Sequence, residues 1–168
     1  MNSVNINTIF RFLILILTQV LIFNNINFIG SINPYPYILF IILYPANNNR
    51  ILFIFSSFLL GLMIDIFSNS GGIHAASCVT IAFIRPAVLK FAFGMVYEHQ
   101  TIKFNQTEFS NRITYFFIVI VMHHLIMFAL EIFNISNILL LLKKTVFSSI
   151  FTLLLCTLIS LLFSKKQR

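Results

Sequence analysis

The chain has 168 residues, of which 59% are hydrophobic and 9% charged, against roughly a quarter charged in soluble domains. That balance excludes an ordinary water-soluble domain. Apolar stretches recur from residue 12 to residue 163, and a bilayer core of about 30 Å takes about 20 apolar residues per helix. The formal net charge of +7 does not point to nucleic acid, because Lys and Arg stand at the ends of apolar segments instead of forming one basic face or arm.

In lipid the backbone must satisfy its own polar groups, and these segments are too long and too uniformly apolar for barrel strands. The expected fold is therefore all-α, a single polytopic transmembrane bundle of about six helices. The first is predicted from Phe12 to Ile29. It follows Arg11 as a signal peptide would, but Asn24, Asn25 and Asn27 stand where a small-residue cleavage site belongs, so it reads as a retained helix. The second runs from Pro34 to Ala46, with Pro34 and Pro36 at its entrance and Pro45 at its exit. Its firmly apolar part, Tyr37 to Tyr44, is short enough for a re-entrant or interfacial segment. The remaining four are predicted over Ile51–Phe67, Ile73–Phe93, Ile113–Phe133 and Val146–Phe163. Two breaks separate the middle segments, Asn47-Asn48-Asn49 and Ser68-Asn69-Ser70-Gly71-Gly72, both of turn composition. Cys78 and Cys156 lie inside apolar segments and read as small buried residues, not as a disulfide.

Basic residues in short loops mark the cytoplasmic side. With six crossings and a cytoplasmic N-terminus, the inside holds Arg11, Arg50, Lys90, Lys103, Arg112, Lys165, Lys166 and Arg168, and the outside only Lys143 and Lys144. Both termini are therefore expected in the cytoplasm. The longest loop, Gly94 to Arg112, would lie there too, offering Glu98, His99, Lys103, Glu108 and Arg112 to a partner. Two sequons, at Asn105 and Asn134, arise easily by chance in so Asn-rich a chain and do not support glycosylation.

Ionisable residues inside membrane helices are costly and are functional candidates by default. Asp65 lies near the outer end of the third helix, four residues after Gly61, whose lack of a side chain lets another helix approach. It can be hydrated at the interface, cap the following turn, or meet a partner. His74 opens the fourth helix after Gly71 and Gly72, where a hydrogen bond to Asp65 across the turn is expected. Arg85 precedes Pro86, which removes a backbone donor and can kink the helix. Roughly 16 Å beyond His74 at helical rise, Arg85 is too deep for an ion pair with Asp65, and its guanidinium is expected to snorkel inward. His123 and His124 lie midway along the fifth helix, with Glu131 toward the outside. Adjacent helical residues point about 100° apart, which suits interhelical hydrogen bonds better than one metal. No phosphate loop, Cys pair motif, nucleophile elbow or metalloprotease spacing occurs. The expectation is no catalytic residue, no metal and no cofactor.

The stretch Leu60-Gly61-Leu62-Met63-Ile64-Asp65-Ile66-Phe67-Ser68-Asn69-Ser70-Gly71-Gly72-Ile73-His74-Ala75 resembles the most recognisable region of the rod shape-determining protein MreD family. There a Gly-x-x-x-Asp helix end runs into a Ser- and Gly-containing turn and a helix rich in small residues. Residues 34 to 45, Pro-Tyr-Pro-Tyr-Ile-Leu-Phe-Ile-Ile-Leu-Tyr-Pro, resemble the family's second segment. In layout the resemblance spans the whole chain, and in motif residues 34 to about 90. It implies a non-enzymatic subunit of the bacterial cytoplasmic membrane, the inner membrane of a Gram-negative cell. Such a subunit works in cell-wall elongation with MreC and with the actin-like MreB, a SEDS glycan polymerase and a penicillin-binding transpeptidase. His74, Arg85-Pro86 and His123-His124 are outside what the family implies. The small residues Ala75, Ala76, Ser77 and Cys78 offer a close-packing surface, for a partner or for the bundle itself.

The competing class is a small-solute transporter or the substrate-binding membrane subunit of one. It predicts a polar pocket joining Asp65, His74 and Glu131 near the outer face. An intramembrane hydrolase using the histidines and Glu131 is disfavoured by their spacing.

Overall fold

The computed structural model describes residues 6–26, 32–45, 49–94 and 107–162, and these form an all-α bundle. Helix α1 spans Ile6–Leu21 and is followed by a 3-10 turn, Phe23–Asn25. A second 3-10 turn, Pro36–Ile38, leads directly into the five-residue α2, Leu39–Leu43. Then come α3 (Arg50–Ser68), α4 (Ile73–Phe93) and α5 (Phe109–Ile132). A 3-10 turn at Ile135–Asn137 precedes α6 (Ile138–Leu162). Among the described residues, five helices are long and apolar enough to cross a membrane, as a multi-pass membrane protein requires.

The exposure pattern is inverted relative to a soluble bundle. Leu17, Phe55, Phe91 and Leu154 are exposed, whereas Gln19, Ser57, His123, Ser148 and Thr152 are fully buried. Lipid rewards that arrangement, since apolar side chains gain nothing by leaving it while polar ones find partners only inside the protein.

The expected second helix is the main departure. Residues 36–43 form only eight residues of helical structure, too short to span by themselves. They are almost wholly internal: from Tyr37 to Ile42 no residue is more than 2% exposed, and Leu43 is half-buried. The segment nonetheless travels across the bundle. Gln19, far along α1, donates to Pro34 O at 3.4 Å, while Arg11, two turns back, donates to Leu43 O at 3.2 Å. The segment therefore runs antiparallel to α1 over about 12 Å of depth at helical rise.

The other elements alternate in the same way. Asn24 donates to Ser68 Oγ at 2.9 Å, placing the ends of α1 and α3 together. Arg85 on α4 meets Tyr115 on α5, and Lys144 on α6 meets Glu131 at the far end of α5. Residues 6 and 162 thus lie toward one face of the bundle, with Arg11, Arg50, Lys90 and Arg112 toward that same face and Lys143 and Lys144 toward the other. Lys103, Lys165, Lys166, Arg168, Glu98 and His99 fall outside the described residues.

Several boundaries differ from the sequence reading. α1 begins at Ile6 instead of Phe12 and ends at Leu21, because the Asn-rich stretch breaks it. α5 begins at Phe109, so Arg112 is a buried helical residue with its guanidinium over the Phe109 ring, not a loop residue. α6 begins eight residues before Val146, because Lys143 and Lys144 do not interrupt it. Lys144 is partnered, through Glu131 at 2.8 Å and the Phe128 ring at 5.5 Å, and a partnered lysine near a membrane edge is compatible with helix.

α3 and α4 approach closely at Gly61. A Cβ built there would stand 2.5 Å from Ala75 Cα and 2.6 Å from Ala75 N. Ala75, Ser77 and Cys78 are buried within the bundle, whereas Ala76 faces outward, so most of that small-residue surface serves internal packing. Because the obstructing atoms are backbone, Gly61→Ala is expected to force the two helices apart and cost at least about 1–3 kcal/mol. The check is a lowered unfolding temperature by light-scattering or fluorescence-detected size-exclusion assay in detergent.

Candidate functional site

Three polar assemblies sit inside the apolar bundle, and the sequence-predicted residues divide among them.

The first is the α3–α4 corner. α3 ends on Asn69 in the left-handed conformation (φ 51°), and Gly71 (φ 69°) and Gly72 (φ 96°) carry the chain through the turn. These are backbone angles that Asn tolerates and Gly adopts freely. The consequence is that the N-cap of α4 is Gly72, which has no side chain to accept from the first helical N–H groups. Asp65 supplies the missing acceptor from the preceding helix. Its Oδ1 accepts from His74 N at 3.0 Å and Ser70 Oγ at 2.6 Å, and its Oδ2 from Ala75 N at 2.8 Å. A carboxylate at a helix N-terminus is also favoured by the helix dipole. Of the roles open to Asp65, the structure shows the cap. It does not show the expected side-chain bond from His74, whose backbone alone faces Asp65. The imidazole turns inward, because the donor that Asp65 needs is the peptide N–H and Tyr37 offers the ring a closer partner.

The second assembly lies at the opposite end. Arg85 is 3% exposed and does not snorkel. Its Nε donates to Tyr115 Oη at 2.8 Å, and its Nη2 donates to Ile42 O at 3.2 Å and to Tyr44 O. Tyr115 Oη also donates to Ile42 O at 3.2 Å, and the guanidinium packs 5.0 Å from the Phe53 ring centroid. The reason is local: the short α2 ends inside the protein with its last carbonyls unpaired, and a buried guanidinium with several donors is the group best able to satisfy them. Arg11 does the same for Leu43 O. Arg85 and Asp65 serve opposite ends of the bundle, in keeping with the absence of an ion pair expected from their depth.

Between these lies the third assembly, which draws on both histidines of α5. Tyr37 Oη stands 2.7 Å from His74 Nδ1 and 3.0 Å from His123 Nε2. One hydroxyl donates to one ring and accepts the N–H of the other, so the two tautomers are tied together. His124 points elsewhere, as adjacent positions on a helix must. Its Nδ1 donates to Ile120 O at 2.7 Å, its Nε2 lies 3.2 Å from Thr152 Oγ1, and Thr152 Oγ1 accepts from Tyr35 N at 3.0 Å. The interhelical hydrogen-bonding role expected of this pair is what the geometry contains. Among the described residues no group of three His, Cys, Asp or Glu side chains converges as a metal site. Cys78 and Cys156 are free, buried thiols.

A cleft of about 520 Å³ opens at the end of the bundle that holds the α3–α4 corner. Asn69, Ser70, Gly71 and Ile73 from that corner form one side, and Tyr35, Met127 and Glu131 the other. His74 lines it as well, so the cleft leads to Tyr37 and His123. Past His123 the polar path stops, since Val119 and Ile120 fill the level between it and the Tyr115–Arg85 assembly. His74 and Glu131 are thus brought together in one cavity, while Asp65 stands behind Ser70 and does not line it.

In comparisons with protein-family models, curated proteins and solved structures, nothing matches this chain. The reading of the site therefore rests on its own geometry.

Sequence reasoning missed Tyr35, Tyr37, Tyr115 and Thr152. The run Pro34-Tyr35-Pro36-Tyr37 carried a signal: two prolines in an apolar stretch leave an irregular backbone, which in a membrane must be buried and supplied with partners. For Tyr115 and Thr152 no single-residue signal exists, because their roles depend on which helix lies opposite. Tyr37→Phe is expected to leave both imidazoles without their shared partner and to cost about 1–3 kcal/mol. A double-mutant cycle with His123→Leu, read by chemical denaturation in detergent, should give a coupling of at least about 0.5 kcal/mol. Arg85→Met should cost more than Tyr37→Phe in the same assay, since it removes three hydrogen bonds, to Tyr115 Oη, Ile42 O and Tyr44 O, and takes the Arg85 donor from the buried Tyr44 carbonyl.

Proposed function

We propose that this chain is a non-enzymatic subunit of the bacterial elongation machinery in the cytoplasmic membrane, binding MreC and helping to position peptidoglycan synthesis. Its wider assembly would include MreB, a SEDS glycan polymerase and a penicillin-binding transpeptidase. The observation that carries the reading is the α3–α4 corner. The residues on which the MreD-like resemblance rests are the ones with definite backbone tasks there: Gly61 for close approach, Asp65 as the cap, Ser70 as its ligand, and Gly71 and Gly72 for the left-handed turn. Such a corner holds two helices in a fixed relation and presents a rigid outer-end surface.

A second feature supports the same reading. The buried Asp65, His74, Arg85 and His124 hydrogen-bond to backbone groups or to neighbouring side chains, so these groups serve the bundle's own structure. Lys and Arg placement supports an orientation with both termini in the cytoplasm, which sets the corner and the cleft on the outer side. MreC is then engaged by helix faces and the outer corner.

The cleft favours a second reading, a small-solute carrier or its substrate-binding subunit, because that class predicts a polar pocket containing His74 and Glu131 near the outer face. The broken segment 34–45, whose first described tyrosine lines the cleft, belongs to the same pattern.

The deciding experiment is affinity capture of the tagged chain from native membranes, with mass spectrometry, for wild type and Asp65→Asn at matched folded abundance. Recovery of MreC and the wall polymerase, reduced several-fold by the substitution, is the expected result. Recovery of an ATPase pair without them would replace the scaffold reading by the carrier.

A further inference from the structure

The outer cleft has a chemistry that selects among ligands. Its volume of about 520 Å³ falls in the range of small-molecule sites, about 300–1,000 Å³. Among the described residues that line it, Glu131 is the one carboxylate and none is Lys or Arg. An anion would ordinarily be drawn to the start of α4, where backbone N–H groups point outward. Here two of those donors are taken: Asp65 already accepts from His74 N and Ala75 N. Its carboxylate lies directly behind Ser70, one hydrogen bond from the cleft wall. An incoming anion would therefore compete with Asp65 for donors at that helix end and would face two carboxylates.

A cation meets the opposite situation. Lys144 holds Oε1 of Glu131 at 2.8 Å, yet its ammonium lies over the Phe128 ring and is not one of the cleft's lining groups. The Tyr35 ring and the Met127 thioether form the wall beside Glu131. An aromatic face and a polarisable sulfur are favourable surroundings for a cationic head on an apolar body. The inner end of the cleft is the imidazole of His74, fixed by Tyr37 Oη at 2.7 Å, which gives a polar stop instead of a path through the bundle.

We propose that the outer cleft binds a primary ammonium group carried on a compact apolar body, with Glu131 as its counter-ion and Tyr35 and Met127 as its apolar wall. The inference goes beyond the scaffold reading and stands or falls separately from it, since a scaffold and a carrier can each hold such a ligand. The ammonium takes the second carboxylate oxygen of Glu131, in partial competition with Lys144.

The test uses the full chain in phosphatidylcholine nanodiscs and three probes of one shape and different charge: benzylamine, benzyl alcohol and benzoate. Isothermal titration should show saturable binding of benzylamine at least tenfold tighter than of the other two. Glu131→Gln should weaken it at least tenfold, and Lys144→Met should strengthen it by removing the competing ammonium. Met127→Trp, which fills the cleft without touching a charge, should abolish it, so the proposal remains open to refutation even if Glu131→Gln disturbs folding. Equal binding of the three probes, preference for benzoate, absence of saturable benzylamine binding, or retention of binding in Met127→Trp would each overturn the proposal. Adding benzylamine to the affinity capture distinguishes sources of the same chemistry. Displacement of a co-purified protein assigns the ammonium to a partner's lysine, and binding without displacement assigns it to a free solute. Loss of MreC capture with benzylamine binding intact would sink the scaffold reading and leave the cleft proposal standing.

Discussion

The constraint on which this structure depends is a short, irregular backbone segment buried inside a membrane bundle. Residues 34–44 are too short and too interrupted by proline to satisfy their own N–H and C=O groups, and no water is available in a bilayer core to do it for them. The surrounding helices therefore bring partners to it one at a time: Gln19 to Pro34, Thr152 to Tyr35, Arg11 to Leu43, and Arg85 with Tyr115 to Ile42 and Tyr44. Four long helices are pinned in depth and rotation by one inner segment. Dispersion packing alone would leave apolar helices free to slide and rotate against each other, because lipid is as good a neighbour as leucine.

The same constraint explains why polar residues cluster at two levels. At one end, the carbonyls left by the short helix collect guanidinium and phenol. At the middle and the other end, Tyr37 and Tyr35 collect the histidines of α4 and α5 and a threonine of α6. An apolar layer of Val119 and Ile120 separates the two. The polar assemblies are thus hydrogen-bonded joints between helices, and the cleft reaches them at His74. That division suits a protein that holds a shape and receives something at one face better than one that conducts.

The corner at Asp65 works by a different economy. A turn through Asn69, Gly71 and Gly72 demands residues that accept positive φ, and the glycine that results at the helix entrance cannot cap. The cap is displaced onto the previous helix, and Gly61 is needed four residues earlier so that the two helices come close enough for Asp65 to reach. The spacing of glycine and aspartate is a geometric consequence of one turn of helix, which puts both on the face turned toward α4.

By itself the sequence determined the all-helical membrane architecture and the extents of α3 and α4, and it singled out Gly61, Asp65, His74 and Arg85. Those properties follow from apolar length, turn composition and the cost of charge in lipid, all of which are local. Only the tertiary structure decided what each of these residues touches. That Asp65 meets a peptide N–H instead of an imidazole, that Arg85 turns to carbonyls instead of snorkelling, and that residues 36–43 run inside the bundle depend on which elements lie opposite one another. The cleft arises in the same way, from Tyr35, His74 and Glu131, which are separated in sequence and converge because α4 and α5 pack side by side against the buried segment. A periodic pattern records the face a helix buries, and it contains no term for the identity of the partner across that face.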